Sequence, residues 1–360
     1  MKIDIHCHVI GNGKDISRVN EDVYLYADDN QLFFTRMLAN LIEEELIRME
    51  ADLNSDGTIS TSEYFEILYR MLVSSEEIDG VVLLALDAVY SPKTGALDRK
   101  RTDLWVSNRF LSGKVKELNK RLQAEKDPKK KAKKFFFGAS ISPNRKDDWQ
   151  SELEFVAAQP EAVLIKLIPS TQHIRLRDEA HKDFYRALAA KKMPLLCHVG
   201  PEYSFPEGIR NKQLDNFRFL EKPLKYGVTV IAAHCASPVF PMVDRNEIRE
   251  FRDFMEAANS GREIRLWADT SALSLSTRLP FIQEILETFP PGCLVHGTDF
   301  PIPIDSWPHL PLVTKDITPE EYIGICKTKN FLDRDVRIKR AHGFSDSILQ
   351  NAVRVLRMPA

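Results

Sequence analysis

Several features are missing from this 360-residue chain, and each absence excludes a class of protein. No run of about 18 apolar residues occurs, so no segment is apolar enough to cross a membrane as a helix. The 50 Lys and Arg residues balance 52 Asp and Glu, which leaves no net field to recruit nucleic acid or an anionic membrane. We therefore expect a small-molecule substrate, no nucleic-acid or membrane partner, and at most a homo-oligomer.

Cysteine is sparse, and its number is odd. The five cysteines lie far apart, at Cys7, Cys197, Cys235, Cys293 and Cys326. This spacing is typical of reduced, buried thiols rather than of a disulfide framework. An apolar strand pattern begins within the first eight residues, where a secretory signal peptide would need a different composition. We therefore expect a cytoplasmic protein.

Apolar residues make up 43% of the chain and are concentrated in short β-rich runs. Eight runs predict strands, in the order Lys2 to Cys7, Gly80 to Leu86, Phe135 to Ile141, Ala162 to Ile168, Pro194 to Val199, Val228 to Ala233, Glu263 to Ala268, and Cys293 to Gly297. Several are continuously apolar, which is typical of strands covered on both faces, and segments with helical periodicity separate most of them. The pattern predicts an α/β fold, a parallel (β/α)8 or TIM barrel. An open doubly wound sheet is the alternative, but no glycine-rich dinucleotide fingerprint follows the first strand.

We interpret residues 1–360 as one barrel domain in which residues 11–77 form a helical insertion between the first two strands. A second long stretch, Tyr90 to Lys134, ends in a cluster of lysines before the third strand. Lysine clusters bind phosphates in some proteins, but here no charge excess surrounds them. We interpret this cluster as the solvated end of a helix.

The insertion contains the sequence DLNSDGTISTSE at residues 52–63. Oxygen donors occupy loop positions 1, 3, 5, 7, 9 and 12 of an EF-hand-like calcium loop, namely Asp52, Asn54, Asp56, Thr58, Ser60 and Glu63, with Gly57 at position 6. The apolar residues that follow, Tyr64, Ile67, Leu68 and Met71, have the spacing of one face of an exiting helix. The pattern predicts one bound Ca²⁺; the alternative is an acidic turn that binds no ion.

Metal-binding residue types fall at the ends of several predicted strands. They are His6 and His8 on the first strand, Lys166 on the fourth, His198 on the fifth, His234 on the sixth and Asp299 on the eighth. The two-residue spacing of His6 and His8 directs both imidazoles to the same side of a strand. In a parallel barrel all these strand ends meet at one mouth, where active sites lie. A single histidine there is more often a hydrogen-bonded core residue, but the joint pattern predicts a divalent-metal site. His296 lies three residues before Asp299, and we interpret it as structural.

This ordered set resembles the amidohydrolase superfamily, and more narrowly its amidohydrolase 2 branch of metal-dependent TIM-barrel hydrolases. The segments WADTSA at 267–272, GTDFP at 297–301 and ILQNAVRVL at 348–356 are similar to that branch's seventh strand, eighth strand and closing helix. In binuclear relatives, the resemblance implies one ion on the first-strand histidines, a second on the histidines of strands five and six, and a carboxylated lysine between them. In mononuclear relatives it implies one ion shared by His6, His8, His198 and Asp299. Spacing does not separate the two arrangements.

A divalent cation held by neutral imidazoles and a carboxylate lowers the pKa of a bound water to about 7. We expect one or two transition-metal ions, with zinc as the first choice and manganese or iron as alternatives. Asp299 is the candidate proton carrier, and His234 and Lys166 complete the candidate catalytic set. A buried lysine of lowered pKa can take up CO₂ as a carbamate.

The predicted function is hydrolysis of a small-molecule ester, lactone, amide or phosphoester by a metal-activated water. One alternative is the non-oxidative decarboxylation of an aromatic or unsaturated acid, and another is a non-catalytic, calcium-responsive binding protein. Arg175, Arg177 and Trp307 follow strands four and eight and are candidates for binding an anionic substrate.

Overall fold

Eight parallel strands in sequential order form the central sheet of this protein, seen in a computed structural model that describes residues 1–10, 23–25, 42–53, 59–146, 148–205, 211–261, 263–302, 304 and 317–359. The strands are β1 (Ile3–His8), β3 (Gly80–Leu84), β5 (Lys134–Ala139), β6 (Ala162–Leu167), β7 (Leu195–Cys197), β8 (Val230–Ala232), β9 (Leu266–Asp269) and β10 (Leu294–Val295). A separate antiparallel pair joins β2 (Val23–Leu25) to β4 (Leu104–Val106). All eight predicted strands are confirmed, most of them with shorter bounds.

The sheet curls until its first and last strands meet. The amide of Ile5 donates to the carbonyl of His296 over 3.1 Å, and beyond β10 the amide of Asp299 donates to the carbonyl of His6 over 2.8 Å. A doubly wound sheet would instead reverse its strand order near the middle. The sequential order and the curl are consistent with a TIM barrel.

Helices connect most of the strands and follow the last one. They are α1 (42–48), α2 (Thr61–Ser74), α3 (Asn108–Gln123), α4 (Pro128–Lys131), α5 (Asp148–Ala157), α6 (Pro169–Gln172), α7 (Lys182–Ala190), α8 (Glu221–Lys225), α9 (Ile248–Asn259), α10 (Ile282–Thr288), α11 (Pro319–Cys326), α12 (Phe331–Ala341), α13 (Ser347–Gln350) and α14 (Ala352–Val355). The two larger apolar clusters of the described residues result because alternate strand residues face opposite sides. Ile5, Val82 and Leu164 belong to one cluster, whereas Cys7, Val81 and Ile165 pack in the other. In the described part of the chain, no helix is long and apolar enough to cross a membrane.

The insertion contributes α2 to the packing around the sheet. Tyr64, Ile67, Leu68 and Met71 are all buried, so the predicted apolar face of this helix is confirmed. The helix begins after Ser60, whose hydroxyl accepts a hydrogen bond from an amide of the first turn. Residues 54–58 of the predicted calcium loop, and residues 11–22 and 26–41 of the insertion, lie outside the described residues.

The burial of individual side chains corrects two smaller expectations, one for the lysine cluster and one for the cysteines. In the lysine cluster, Lys129 and Lys131 are exposed as expected, but Lys133 is buried and donates to the carbonyls of Ser75 and Ile78. These two carbonyl acceptors compensate for the burial of the ammonium group. The interpretation of the cluster as a solvated helix end is therefore wrong for Lys133. All five cysteines are free thiols, and four are buried, whereas Cys326 is only half-buried.

Gly138, the penultimate residue of β5, provides a test of the packing inside the sheet. A Cβ atom at this position would lie 2.4 Å from a methyl carbon of Leu84 and 2.9 Å from one of Leu164. We expect Gly138→Ala to destabilise the protein by about 1–3 kcal/mol, because both neighbours are buried and must shift. The thermal unfolding midpoint measures the effect. Gly113→Ala in α3 is the matched control, since nothing lies within 4 Å of its added carbon, and an equal loss there would contradict the packing argument.

Candidate metal centre

The side chains predicted to bind metal all leave the sheet at its carboxyl edge. His6 and His8 end β1, Lys166 is the penultimate residue of β6, and His198 directly follows β7. Two further residues depend on turns rather than on strand pleat: His234 follows β8 with φ 60°, and Asp299 lies four residues beyond β10 with φ 70°. Such left-handed backbone is uncommon outside glycine, but short polar residues adopt it most readily. These turns decide where the two side chains point.

Three side chains meet closely enough to hold one ion. Nε2 of His6 lies 3.2 Å from Nε2 of His8, and Oδ1 of Asp299 lies 3.2 Å from each of these nitrogens. Ligands at about 2.0–2.1 Å from a tetrahedral zinc ion are separated from one another by about 3.3 Å. Two imidazoles and a carboxylate are also a donor set that suits zinc and other first-row transition metals. These three residues therefore fit a transition-metal ion.

Hydrogen bonds determine which ring nitrogen carries the proton in His6 and in His234. Nδ1 of His6 lies 2.7 Å from Oδ2 of Asp269, and Nδ1 of His234 lies 3.1 Å from the carbonyl oxygen of Ser271. Because both oxygens only accept, both Nδ1 atoms carry the proton, and both Nε2 atoms present lone pairs. Nε2 of His234 lies 3.2 Å from Nδ1 of His198, whose own Nε2 is buried without a hydrogen-bond partner. His198 thus has a free nitrogen for a ligand.

Asp269, the last residue of β9, orients two of the histidines at once. Its Oδ1 accepts from the amide of His234 over 2.8 Å, from the amide of Ser271 over 3.1 Å and from the Ser271 hydroxyl. Its Oδ2 bonds the imidazole of His6. Burial alone would raise the pKa of Asp269, but His6, His234 and the hydrogen bond from Ser271 hold it below its usual value. Sequence reasoning missed this residue. The strand-end rule applied to the segment WADTSA would have found it.

Lys166 lies within the same group. Its Nζ is 3.0 Å from Nε2 of His6, the nitrogen that the Asp269 contact leaves as an acceptor. Burial lowers the pKa of Lys166, and the nearby carboxylates of Asp299 and Asp269 oppose the shift only in part. The direction agrees with the expectation of a neutral amine. Without modification this amine competes with a metal ion for the His6 lone pair.

The protonation states of the group suit cation binding. Burial lowers the pKa of His198 to about 4, and it also lowers the pKa of His6 and His234. Burial alone would raise the pKa of Asp299, but the neighbouring imidazoles outweigh it and keep the pKa below its usual value. Neutral imidazoles and an ionised carboxylate are the forms that a metal ion requires.

Asp4 forms hydrogen bonds to both β1, which carries His6, and the turn that carries Asp299. It accepts from the amide of His6 over 3.0 Å and, 294 residues along the chain, from the amide of Thr298 over 3.0 Å and its hydroxyl over 2.6 Å. Burial raises the pKa of Asp4 to about 7, against the opposing hydrogen bonds from Thr298. The carboxylate therefore fixes β1 against the turn that carries Asp299.

The other residues singled out in the sequence lie elsewhere. His296 is buried, and its Nε2 lies 3.8 Å from Oδ2 of Asp335 in α12; its interpretation as a structural residue stays a prediction. Arg175 and Arg177 are both exposed, and Arg177 stacks on the ring of Phe219. Trp307 lies outside the described residues.

A curled parallel sheet with imidazoles and a carboxylate gathered at its carboxyl edge is the arrangement of a metal-dependent enzyme on a TIM-barrel-like fold. The model of the family described as "Amidohydrolase" matches residues 3–339, and the chain belongs to this family. It is an enzyme of the amidohydrolase type, and the metal-dependent hydrolase predicted from the sequence fits the family. The resemblance stated for the sequence is therefore confirmed at the level of the family.

Two solved structures with TM-scores of at least 0.50 agree on the fold. An uncharacterised TIM-barrel protein from Bordetella bronchiseptica is 15% identical with a TM-score of 0.52, over 98% of this chain and 99% of that one. A 5-carboxyvanillate decarboxylase from Sphingomonas paucimobilis is 12% identical with a TM-score of 0.50, over 99% of each chain. A probable 2-pyrone-4,6-dicarboxylic acid hydrolase from Acinetobacter baumannii is 12% identical with a TM-score of 0.47, over 98% and 99%. No curated protein matches the sequence.

The histidine pair on β1 is the first test of the site. We expect replacement of both His6 and His8 by alanine to remove at least one bound transition metal per chain and essentially all turnover, because two of three converging donors are lost. Elemental analysis gives the number of ions per chain, and circular dichroism reports the fold. His342→Ala, at the end of α12, is the control that should keep its metal. Undiminished metal content in the double variant would remove the basis of the assignment.

Proposed function

We propose that this protein hydrolyses a small-molecule ester, lactone, amide or phosphoester by means of a transition-metal ion held by His6, His8 and Asp299. The observation that carries the proposal is the mutual 3.2 Å separation of their three donor atoms, with the His6 proton kept on the opposite nitrogen by Asp269. When bound, the ion supplies an activated water and polarises the substrate's carbonyl or phosphoryl oxygen.

Asp299 is the proposed proton carrier. Its Oδ1 faces the two imidazoles of β1, whereas its Oδ2 lies 3.9 Å from Nδ1 of His234 and forms no closer ion pair among the described residues. The low pKa of this carboxyl keeps it ionised at neutral pH. Oδ2 can therefore receive the proton of the attacking water and deliver it to the leaving group.

Two metal stoichiometries differ in the role given to Lys166. With one ion, the amine stays unmodified and has to give up the Nε2 lone pair of His6 to the ion. With two ions, the neutral amine would take up CO₂, and His198 and His234 would hold the second ion, since Nε2 of His198 is buried without a partner. Both assignments use the same His6, His8 and Asp299 group, so the hydrolase proposal does not depend on the choice.

Decarboxylation of a carboxylic acid is the second candidate. The observation that favours it is a fully enclosed arginine, Arg278, whose free donors suit an anionic substrate. In that reaction no water attacks, and the charged groups of the site stabilise the carbanion left by CO₂.

One assay separates the two candidates. Zinc-loaded protein is incubated with p-nitrophenyl acetate, a γ-lactone and p-nitrophenyl phosphate in one series, and with hydroxybenzoic acids in another. We expect ester or lactone hydrolysis, and we expect Asp299→Asn to lower kcat by roughly 10² or more while KM changes far less, because the amide keeps the size but loses the basic oxygen. Asp253→Asn, on the exposed face of α9, is the matched control and should leave the rate unchanged.

Two results would contradict the proposal. Release of CO₂ from an acid without hydrolysis of any ester, lactone or phosphoester would replace the hydrolase with the decarboxylase. A rate in Asp299→Asn within a few-fold of the parent would assign the proton transfer to another group.

We also propose that the loop at residues 52–63 binds one Ca²⁺ independently of the transition metal. The described ends of this loop approach each other, since the amide of Asp52 donates to Oε1 of Glu63 over 3.2 Å. Position 12 of a calcium loop must reach back towards position 1 in this way. The same Oε1 accepts from Nη2 of Arg70 over 2.9 Å, so a bound ion would have to displace or share that contact.

The helix that follows the loop contacts the candidate metal centre. The hydroxyl of Tyr64 donates to the carbonyl of His8 over 2.7 Å, and its ring stacks on Phe300 with centroids 5.8 Å apart. Calcium held by the loop would therefore stabilise α2 against the segments that carry His8 and Asp299.

The calcium proposal is tested by chelation. We expect a calcium-selective chelator to lower the thermal midpoint of the zinc-loaded protein, because ligand that binds only the folded state stabilises it. Glu63→Gln should abolish this drop, since it removes the bidentate carboxylate at position 12. Glu117→Gln on the exposed face of α3 should preserve it. A drop that persists unchanged in Glu63→Gln would mean that the calcium lies elsewhere.

A further inference from the structure

Arg278 is a buried charge that the proposed hydrolysis does not use. Its side chain is only 3% exposed, yet Nε and Nη1 have no hydrogen-bond partner. In the described part of the chain, no carboxylate forms an ion pair with this guanidinium. A buried guanidinium is costly unless an acceptor satisfies its donors, and arginine stays protonated even in such surroundings. The unsatisfied donors therefore point to an acceptor that is supplied by a ligand.

The segment that carries Arg278, residues 270–278, is hydrogen-bonded to the candidate metal centre. The segment begins directly after Asp269, where the Ser271 hydroxyl lies 2.8 Å from Nδ1 of His234. One residue later, the amide of Ala272 donates to the carbonyl of Thr298, next to Asp299. The segment then winds through short turns, and the amide of Arg278 donates to the carbonyl of Leu275 over 2.8 Å before α10 follows. Arg278 therefore lies on the loop beyond the carboxyl end of β9, at the same edge of the sheet as the metal-binding residues.

The charge of Arg278 interacts with residues of the candidate metal centre. Besides burial, the positive charge of Arg278 lowers the pKa of His198 and His234. The carboxylates of Asp299, Glu202 and Asp269 in turn act on Arg278. They offset its charge at a distance but leave Nε and Nη1 without an acceptor.

We propose that Arg278 binds a carboxylate group of the substrate next to the bond that is cleaved at the metal centre. This inference rests on the proposed function and specifies its substrate class: an ester, lactone or amide that also carries a free carboxylate. A carboxylate matches the planar guanidinium with two coplanar acceptors. It also adds a single negative charge, which several acidic neighbours tolerate better than the charge of a phosphate dianion.

The first experiment measures binding without turnover. Benzoate, phthalate and succinate are titrated against the zinc-loaded protein and followed by its thermal midpoint, with benzamide as the neutral counterpart of benzoate and phenyl phosphate as the dianion. We expect at least one carboxylate to stabilise the parent protein, benzamide to have no effect, and Arg278→Met to weaken carboxylate binding at least tenfold. Arg278→Lys should keep part of the affinity, since it retains the charge but not the planar donors. Arg249→Met, at an exposed position of α9, is the matched control.

The second experiment measures specificity. The ratio of kcat/KM for monoethyl succinate to kcat/KM for diethyl succinate should fall at least tenfold in Arg278→Met, because only the monoester carries the carboxylate. The midpoint without ligand should not fall in this variant, because it removes an unsatisfied buried charge.

Several outcomes would overturn the proposal. They are a parent protein that no carboxylate stabilises, carboxylate binding that survives Arg278→Met, stronger stabilisation by phenyl phosphate that depends equally on Arg278, and a large fall in the unliganded midpoint with carboxylate affinity retained. The last result would assign Arg278 a purely structural role. Failure of the hydrolase proposal is distinguishable, because a parent protein that cleaves neither ester still reports carboxylate binding through its thermal midpoint.

Discussion

The hydrogen bond from Nδ1 of His6 to the Asp269 carboxylate is the contact on which the candidate site depends. It joins β1 to β9 across 263 residues of sequence and fixes the proton of His6 on the side away from the other ligands. The second oxygen of the same carboxylate holds the amide of His234. One buried carboxylate thus bonds the imidazole of His6 and the backbone of His234, and both histidines help to hold its pKa below the usual value. A ligand atom fixed in this way is ready for an ion without further ordering of the side chain.

Close approach of β1 to the last strand imposes a second constraint. A Cβ atom at Gly297 would lie 2.7 Å from the Cβ of His6, so only glycine lets the chain pass this close to the ligand strand. The next residue, Thr298, bonds the Asp4 carboxylate, and Asp299 then turns towards the histidines with a left-handed backbone. Glycine, hydroxyl and carboxylate in succession each do a different part of the positioning.

Several charged side chains are buried around this site, and the fold compensates for their burial in different ways. Asp4 and Asp269 are satisfied by amides, a hydroxyl and an imidazole, and Lys166 has a lowered pKa beside an acceptor nitrogen. Arg278 has neither solution, because a guanidinium does not deprotonate and its Nε and Nη1 lack acceptors. Buried charges that have hydrogen-bond partners stabilise the fold. A buried charge without such partners indicates where a ligand binds.

The sequence alone determined the strands and the side chains that end them. Continuous apolar runs and the two-residue spacing of His6 and His8 are local patterns, and local patterns suffice to predict that parallel strands bring their carboxyl ends together. Asp269 also ends a strand and could have been found in this way, but its bond to His6 could not. Asp4 and Arg278 escaped prediction because the partner of Asp4 lies hundreds of residues away and two nitrogens of Arg278 have no partner. Only the tertiary structure decides such pairings, since hydrogen bonding and burial are properties of the packed chain and not of any single segment.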